Sequence, residues 1–211
     1  ALPISSMLKK IITLLALVSL PLFAMAAEYQ AGTHYIVLDK PIKSSNTEKI
    51  VVNEFFGYTC PHCNGFEPQL HKWASVQTDD VSFIPIPVIF GRSWEPYAKA
   101  YFVGLNLGVL EQTHQAMYDA VHIDKRKMTN RQALAAFFAE HGVSQADFDS
   151  AYDSFDLQNK IRQGNRLAAQ SQITGVPSML VNGKYMVNAT LAGSSEGMLA
   201  VVDYLVDLEN Q

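Results

Sequence analysis

The chain has only two cysteines, and they lie three positions apart in Phe55-Phe56-Gly57-Tyr58-Thr59-Cys60-Pro61-His62-Cys63. A Cys-x-x-Cys pair that follows an apolar strand-like run, 50–56, and precedes a helical pattern, 64–73, is the arrangement expected of a redox dithiol. Only a thiolate attacks a disulfide, and a free cysteine of pKa about 8.5 is only a few per cent ionised at neutral pH. The turn puts Cys60 at a helix start, where unpaired N–H groups and the positive dipole end are worth roughly 0.3–2 kcal/mol. Hydrogen bonds to the charged sulfur from the Cys63 thiol and neighbouring N–H groups could add about 1.5–3 kcal/mol each. Pro61 suits the first helical position, since the N–H it lacks would be unpaired there, and a protonated His62 adds a further local charge. Together these predict an acidic, exposed Cys60 that attacks and a more buried Cys63 that resolves mixed disulfides. The stabilised thiolate exists only in the reduced protein, so the same features make the disulfide an oxidant.

Other uses of the pair fare less well. A structural zinc site wants four ligands, no further cysteine exists, and His34, His62, His71, His114, His122 and His141 could contribute only by tertiary accident. An inert structural disulfide is the other bland reading. No metal or separate cofactor is expected; the redox-active disulfide Cys60–Cys63 is itself the reacting group. Glu54 interrupts the apolar run just upstream. It is either a carboxylate reaching solvent at the strand end or a buried acid, its pKa raised by desolvation, that could accept the Cys63 proton.

The elements that must position these groups can be taken in chain order. Lys9-Lys10, the apolar stretch 11–23 and Ala24-Met25-Ala26 read as a secretory signal peptide occupying 1–26, the apolar stretch being short for an uncleaved membrane anchor. Its removal takes the formal charge from −4 to −6, and no basic run points to nucleic acid or anionic lipid as partner. The remaining length buries a core without disulfide staples, which leaves the cysteines for chemistry in an oxidising compartment. Strands are expected at 35–38, 50–56 and 81–86, the last limited and ended by Pro85 and Pro87. Helical periodicity runs through 94–107, 111–123, 130–141, 144–154 and 156–172, with Trp94, Tyr97, Tyr101, Phe102, Phe137 and Phe138 as core. A hairpin follows, 178–181 and 184–187 around Asn182-Gly183, and then a last helix, 195–208. On base rates the Val176–Pro177 bond is trans.

The Glu-Phe-Phe run before Cys60-Pro61-His62-Cys63, the long helical insertion, and Thr174-Gly175-Val176-Pro177 followed by Val181-Asn182-Gly183-Lys184-Tyr185 together resemble the DsbA family of bacterial periplasmic thiol oxidases. The resemblance covers essentially the whole exported chain. It implies an α/β, thioredoxin-like fold with an inserted all-helical domain: 27–90 and 165–211 as the thioredoxin-like part, 91–164 as the insertion. By the same resemblance Cys60 is the nucleophile, Cys63 its resolving partner, and Pro61 and His62 the tuning dipeptide. Val176 and Pro177 form a cis-proline loop whose Val176 backbone pairs with extended substrate, and Glu54 is the buried acid. The implied partners are exported proteins with free thiols, unfolded or still folding, and a DsbB-like, quinone-linked oxidase of the inner membrane, the chain itself being a periplasmic monomer. One departure is visible. The family's best-known member carries a lysine on the strand facing the acid, and 81–88 holds none. A thioredoxin-like reductase or isomerase, and a redox-silent peptide-binding chaperone, are the competing readings.

Overall fold

The computed structural model describes residues 29–44 and 46–211; the signal peptide expected at 1–26 lies outside the described residues. Ile50–Phe56 forms strand β2 and is buried at all seven positions, as a near-continuous apolar run covered on both faces must be. With β1 (Ile36–Val37), β3 (Val81–Pro87), β4 (Ser178–Val181) and β5 (Tyr185–Asn188) it builds one sheet in the order β1-β5-β4-β2-β3. β2 pairs parallel to β3 and antiparallel to β4. The Asn182-Gly183 turn joins β4 to β5 with both residues at positive φ, +48° and +67°, the mirror-image turn whose twist matches a hairpin.

Helix α1 (Pro61–Ser75) follows β2. Five helices then separate β3 from β4: α2 (Glu95–Asn106), α3 (Leu110–His122), α4 (Arg131–Glu140), α5 (Gln145–Tyr152) and α6 (Phe155–Gln170). The short α7 (Ala189–Ala192) and the closing α8 (Ser195–Glu209) complete the chain. Ser144 and Ser154 cap α5 and α6 by accepting from the backbone N–H groups of Asp147 and Leu157, an exchange worth about 1 kcal/mol each. No described helix is long and apolar enough to cross a membrane.

Three apolar clusters hold these layers together. Ile50, Val52, Met179 and Val181 pack with Phe66, Leu70 and Trp73 of α1 and with Val201, Val202 and Leu205 of α8. Phe55, Ile86, Leu180 and Met186 pack with Ala168 of α6 on the opposite face. The third cluster contains Tyr97, Tyr101, Phe102, Phe137 and Phe138, five of the six aromatics expected in the core, with the sixth, Trp94, half-buried against it, and runs without a break into Phe56, Tyr58, Cys60 and Cys63. The helical insertion therefore forms the wall of the dithiol segment.

Several expectations shift at the edges. The first strand shortens to Ile36–Val37, α1 begins at Pro61 as its first-turn fit predicts and runs on to Ser75, and α7 has no periodic pattern to announce it. The expected division at 164/165 falls inside the continuous α6, where a Cβ on Gly164 would come 3.0 Å from Ile86 Cγ2 and the helix rests on β3. β3 runs one residue past the expected 86 and ends at Pro87, with Pro85 inside it. The Val88 N–H donates to Phe56 O at 2.9 Å, so even-numbered N–H groups face β2 and Pro85 and Pro87 occupy positions that point away from it. Neither proline removes a rung, as tolerated in a strand at the end of a sheet.

Candidate active site

β2 ends in a tight turn in which Cys60 N–H donates to Gly57 O at 2.9 Å. The turn is closely packed: a Cβ on Gly57 would lie 2.2 Å from the Trp94 ring. Cys60 takes an extended conformation, φ −86° and ψ 117°, and its sulfur caps α1 by accepting from the Cys63 N–H at 3.4 Å. Pro61 stands in the first turn of that helix. Both cysteines are free thiols, so this is the reduced form.

The expected exposure of Cys60 needs correction. Cys60 is buried, with 8% of its surface accessible against 0% for Cys63. The order of the two holds, but the aromatic cluster of the helical insertion closes over both, and only Pro61 and His62 stand out into solvent. The Val176–Pro177 peptide is cis, against the base rate and as the family resemblance implies. It brings the Val176 carbonyl to the dithiol, where the Cys60 thiol donates to Val176 O at 3.4 Å. Val176 is half-buried and Pro177 buried.

The electrostatics separate the two thiols. Cys60 is lowered from 9.0 to about 6, foremost because the Cys63 thiol donates to its sulfur, with backbone donation from Cys63 and His62 and the His62 charge adding to it against the cost of burial. Cys63 moves the other way, far above the ordinary value, because its proton is held by Cys60 and the site is dry. One thiol is thus ionised at neutral pH and the other is a firm proton carrier.

Beneath the pair lies Glu54, 1% exposed, with neither carboxylate oxygen hydrogen-bonded. The solvent-reaching alternative is excluded. Burial first, then the nearby Glu67 and Cys60, push its pKa well above the ordinary carboxylate value. It opens into a cavity of about 640 Å³ shared with Glu67, His114, Tyr101, Phe83 and Pro85. Glu67 and His114 meet there, His114 Nε2 lying 3.3 Å from Glu67 Oε2, while His114 Nδ1 lies 2.6 Å from the Tyr58 hydroxyl. Sequence reasoning did not single out these three. Glu67 could have been found, since it follows Cys63 by one helical turn. His114, on another helix, carries no such signal. Among the described residues no group of three or more His, Cys, Asp or Glu is placed to hold a metal ion.

Cys60, Cys63, Pro61, His62, Val176 and Pro177 are therefore brought to one place, with Glu54 behind them. An acidic thiol at a helix start, a second thiol that keeps its proton, and a buried acid are the parts that reversible disulfide exchange requires. Comparison with known proteins agrees. A family model described as a DSBA-like thioredoxin domain matches residues 97–196, which take in most of the helices and the cis-proline loop. The thiol:disulfide interchange protein DsbA of Pseudomonas aeruginosa is 37% identical over 191 residues, covering 89% of this chain and 90% of the relative. Its counterpart in Pseudomonas syringae pv. tomato is 35% identical over 206 residues, 96% of each. Among solved structures, the crystal structure of Pseudomonas aeruginosa DsbA superposes with a TM-score of 0.84 at 36% identity, over 88% of this chain and 96% of that one. The oxidoreductase DsbA of Xylella fastidiosa gives 0.81 at 32%, over 86% and 98%.

Proposed function

The chain belongs to the DsbA family of thioredoxin-fold thiol:disulfide oxidoreductases, and we propose that it is a dithiol oxidase that donates its Cys60–Cys63 disulfide to proteins carrying free thiols. The observation that carries the direction of reaction is the paired displacement of the two thiols, Cys60 down to about 6 and Cys63 far up. A reduced protein stabilised in this way gives up electrons reluctantly, and its disulfide passes readily to a substrate.

In this reading a substrate thiolate attacks the Cys60 sulfur, the Cys60–Cys63 bond breaks, and Cys63 leaves as a thiolate that takes a proton from Glu54. A second substrate thiolate then attacks the substrate sulfur of the mixed disulfide and releases reduced Cys60. Pro61 and His62 tune the thiolate, and the Val176 backbone beside Pro177 aligns an extended substrate segment. The substrates are exported proteins in the periplasm, unfolded or still folding. A DsbB-like, quinone-linked membrane oxidase restores the disulfide, and the chain works as a monomer. Residues 27–90 with 165–211 act as the redox unit, and 91–164 as its cover. The exported setting rests on the signal-like sequence of 1–26 and on the family.

The test is redox equilibrium with glutathione, read by trapping the thiols of Cys60 and Cys63, together with oxidation of a reduced, unfolded protein. A potential well above about −200 mV with catalysed oxidation is expected. A potential near about −270 mV would make the protein a reductase, and absence of any exchange would leave a binding module.

A further inference from the structure

The strand lysine that accompanies the buried acid in the best-known family member is missing, and another set of groups occupies the surroundings of Glu54. From α1 come Glu67 and His71, from α3 Glu111, His114 and the unpartnered Tyr118 hydroxyl, from α2 the Tyr101 hydroxyl, and from the turn before α1 Tyr58 and Cys60; β3 contributes Phe83 and Pro85 and no ionisable group. Of these, Glu67 and His114 are buried or nearly so, their side chains 9% and 16% exposed, whereas His71 and Glu111 stand at the exposed rim.

The hydrogen bonds fix the chemistry of this pair. The Tyr58 hydroxyl is buried and keeps its proton, since burial first and then neighbouring groups raise its pKa well above the usual phenol. Glu67 Oε2 can only accept, so the proton of a neutral imidazole belongs on Nε2 and the Tyr58 hydroxyl donates to His114 Nδ1. Tyr58 thus supports the tautomer that holds Glu67, and Tyr58 is itself on the segment between β2 and Cys60. We propose that His114 is a positioning residue for disulfide exchange: with Tyr58 behind it, it holds the Glu67 carboxylate in the wall of the cavity beside Glu54, the acid that delivers a proton to Cys63.

The inference rests on the oxidase reading, and the step balances. As substrate sulfur bonds to Cys60 and the Cys60–Cys63 bond breaks, the electron pair goes to Cys63 sulfur and the Glu54 proton follows it. Glu54 then recovers a proton from solvent by way of the cavity that it borders with Glu67 and His114. Burial first, and then the Glu67 charge, favour the protonated form of Glu54, since two neighbouring carboxylates resist joint ionisation.

The experiment follows the Glu54 carboxyl by carbon NMR across pH in the oxidised protein, assigned with Glu54→Gln, alongside the pH profile of attack by reduced glutathione on the Cys60–Cys63 disulfide. In Glu67→Gln and in His114→Phe the Glu54 midpoint and the upper limb of the rate profile should both fall by about one pH unit, a tenfold loss of proton affinity. His114→Gln, which retains a donor, should stay near the parent. Midpoints unchanged in both variants, or slower exchange with an unshifted profile, would overturn the inference while the parent remained an oxidase. A parent that forms no mixed disulfide on Cys60 would instead overturn the functional reading, and this inference with it.

Discussion

The potential of the dithiol should bend with pH at the ionisation of Cys60. Below about pH 6 both thiols of the reduced protein are protonated, so two protons accompany two electrons and the potential falls by about 59 mV per pH unit. Above about 6, where Cys60 is a thiolate and Cys63 still holds its proton, only one proton is taken up and the slope halves to about 30 mV. At pH 7 the thiolate outnumbers the thiol tenfold, where a cysteine at 9.0 would be about one per cent ionised. The difference makes the protein about 30 mV more oxidising, or about 1.4 kcal/mol. Glutathione equilibria between pH 5 and 8, with thiolate absorbance as an independent readout, would measure both the break and its position. Since donation from Cys63 leads the causes and the His62 charge is last, Cys63→Ala should raise the Cys60 titration further than His62→Ala does. A slope that stays at about 59 mV through pH 8, or the reverse order of the two variants, would refute the reasoning. The same ionisation stabilises the reduced fold. The Cys60 pKa is depressed on folding, so its contribution is full above about 9 and disappears as pH falls through about 6.

Two further outcomes follow from the packing. Glu54→Leu removes a buried carboxyl without partners, so it should stabilise the protein by about 1–3 kcal/mol while slowing exchange. Because the folded pKa of Glu54 is raised, the parent loses stability as pH rises from the unfolded value of 4.5, and the gain in thermal unfolding should be larger at pH 7 than at pH 4; an equal gain at both would contradict this account. Gly57→Ala places a Cβ 2.2 Å from the Trp94 ring, and urea unfolding should show a loss of about 1–3 kcal/mol; a change under about 0.5 kcal/mol would mean that Trp94 moves freely.

What could be read in the sequence were the local features. The dithiol at a helix start, the apolar strand before it, the Asn182-Gly183 turn and the capping serines each depend on residues within a few positions. Glu54 was legible only as a polar break in an apolar run, because whether such a residue surfaces or stays buried depends on what is packed over it. The burial of Cys60 and the approach of Val176 depend on segments up to 116 positions away. The Tyr58–His114–Glu67 contacts join three elements, and no periodicity reports that kind of meeting. That Pro85 and Pro87 would cost the ladder no rung was hidden for a related reason: it depends on which way each N–H of β3 would point, and that is set by the partner strand.

Those prolines also affect what the molecule avoids. A sheet with open margins is a template for any extended chain, and an oxidase of unfolded proteins would meet such chains constantly. One margin here is β1, only two residues long. At the other, the outward positions of β3 are 81, 83, 85 and 87; two are prolines and the Val81 N–H is taken by Thr78 O. Phe83 alone among these four has a donor to offer, too little to seed a new rung. With substrate held at the Val176 loop as proposed, the sheet itself still refuses to grow, which would separate transient recognition from aggregation.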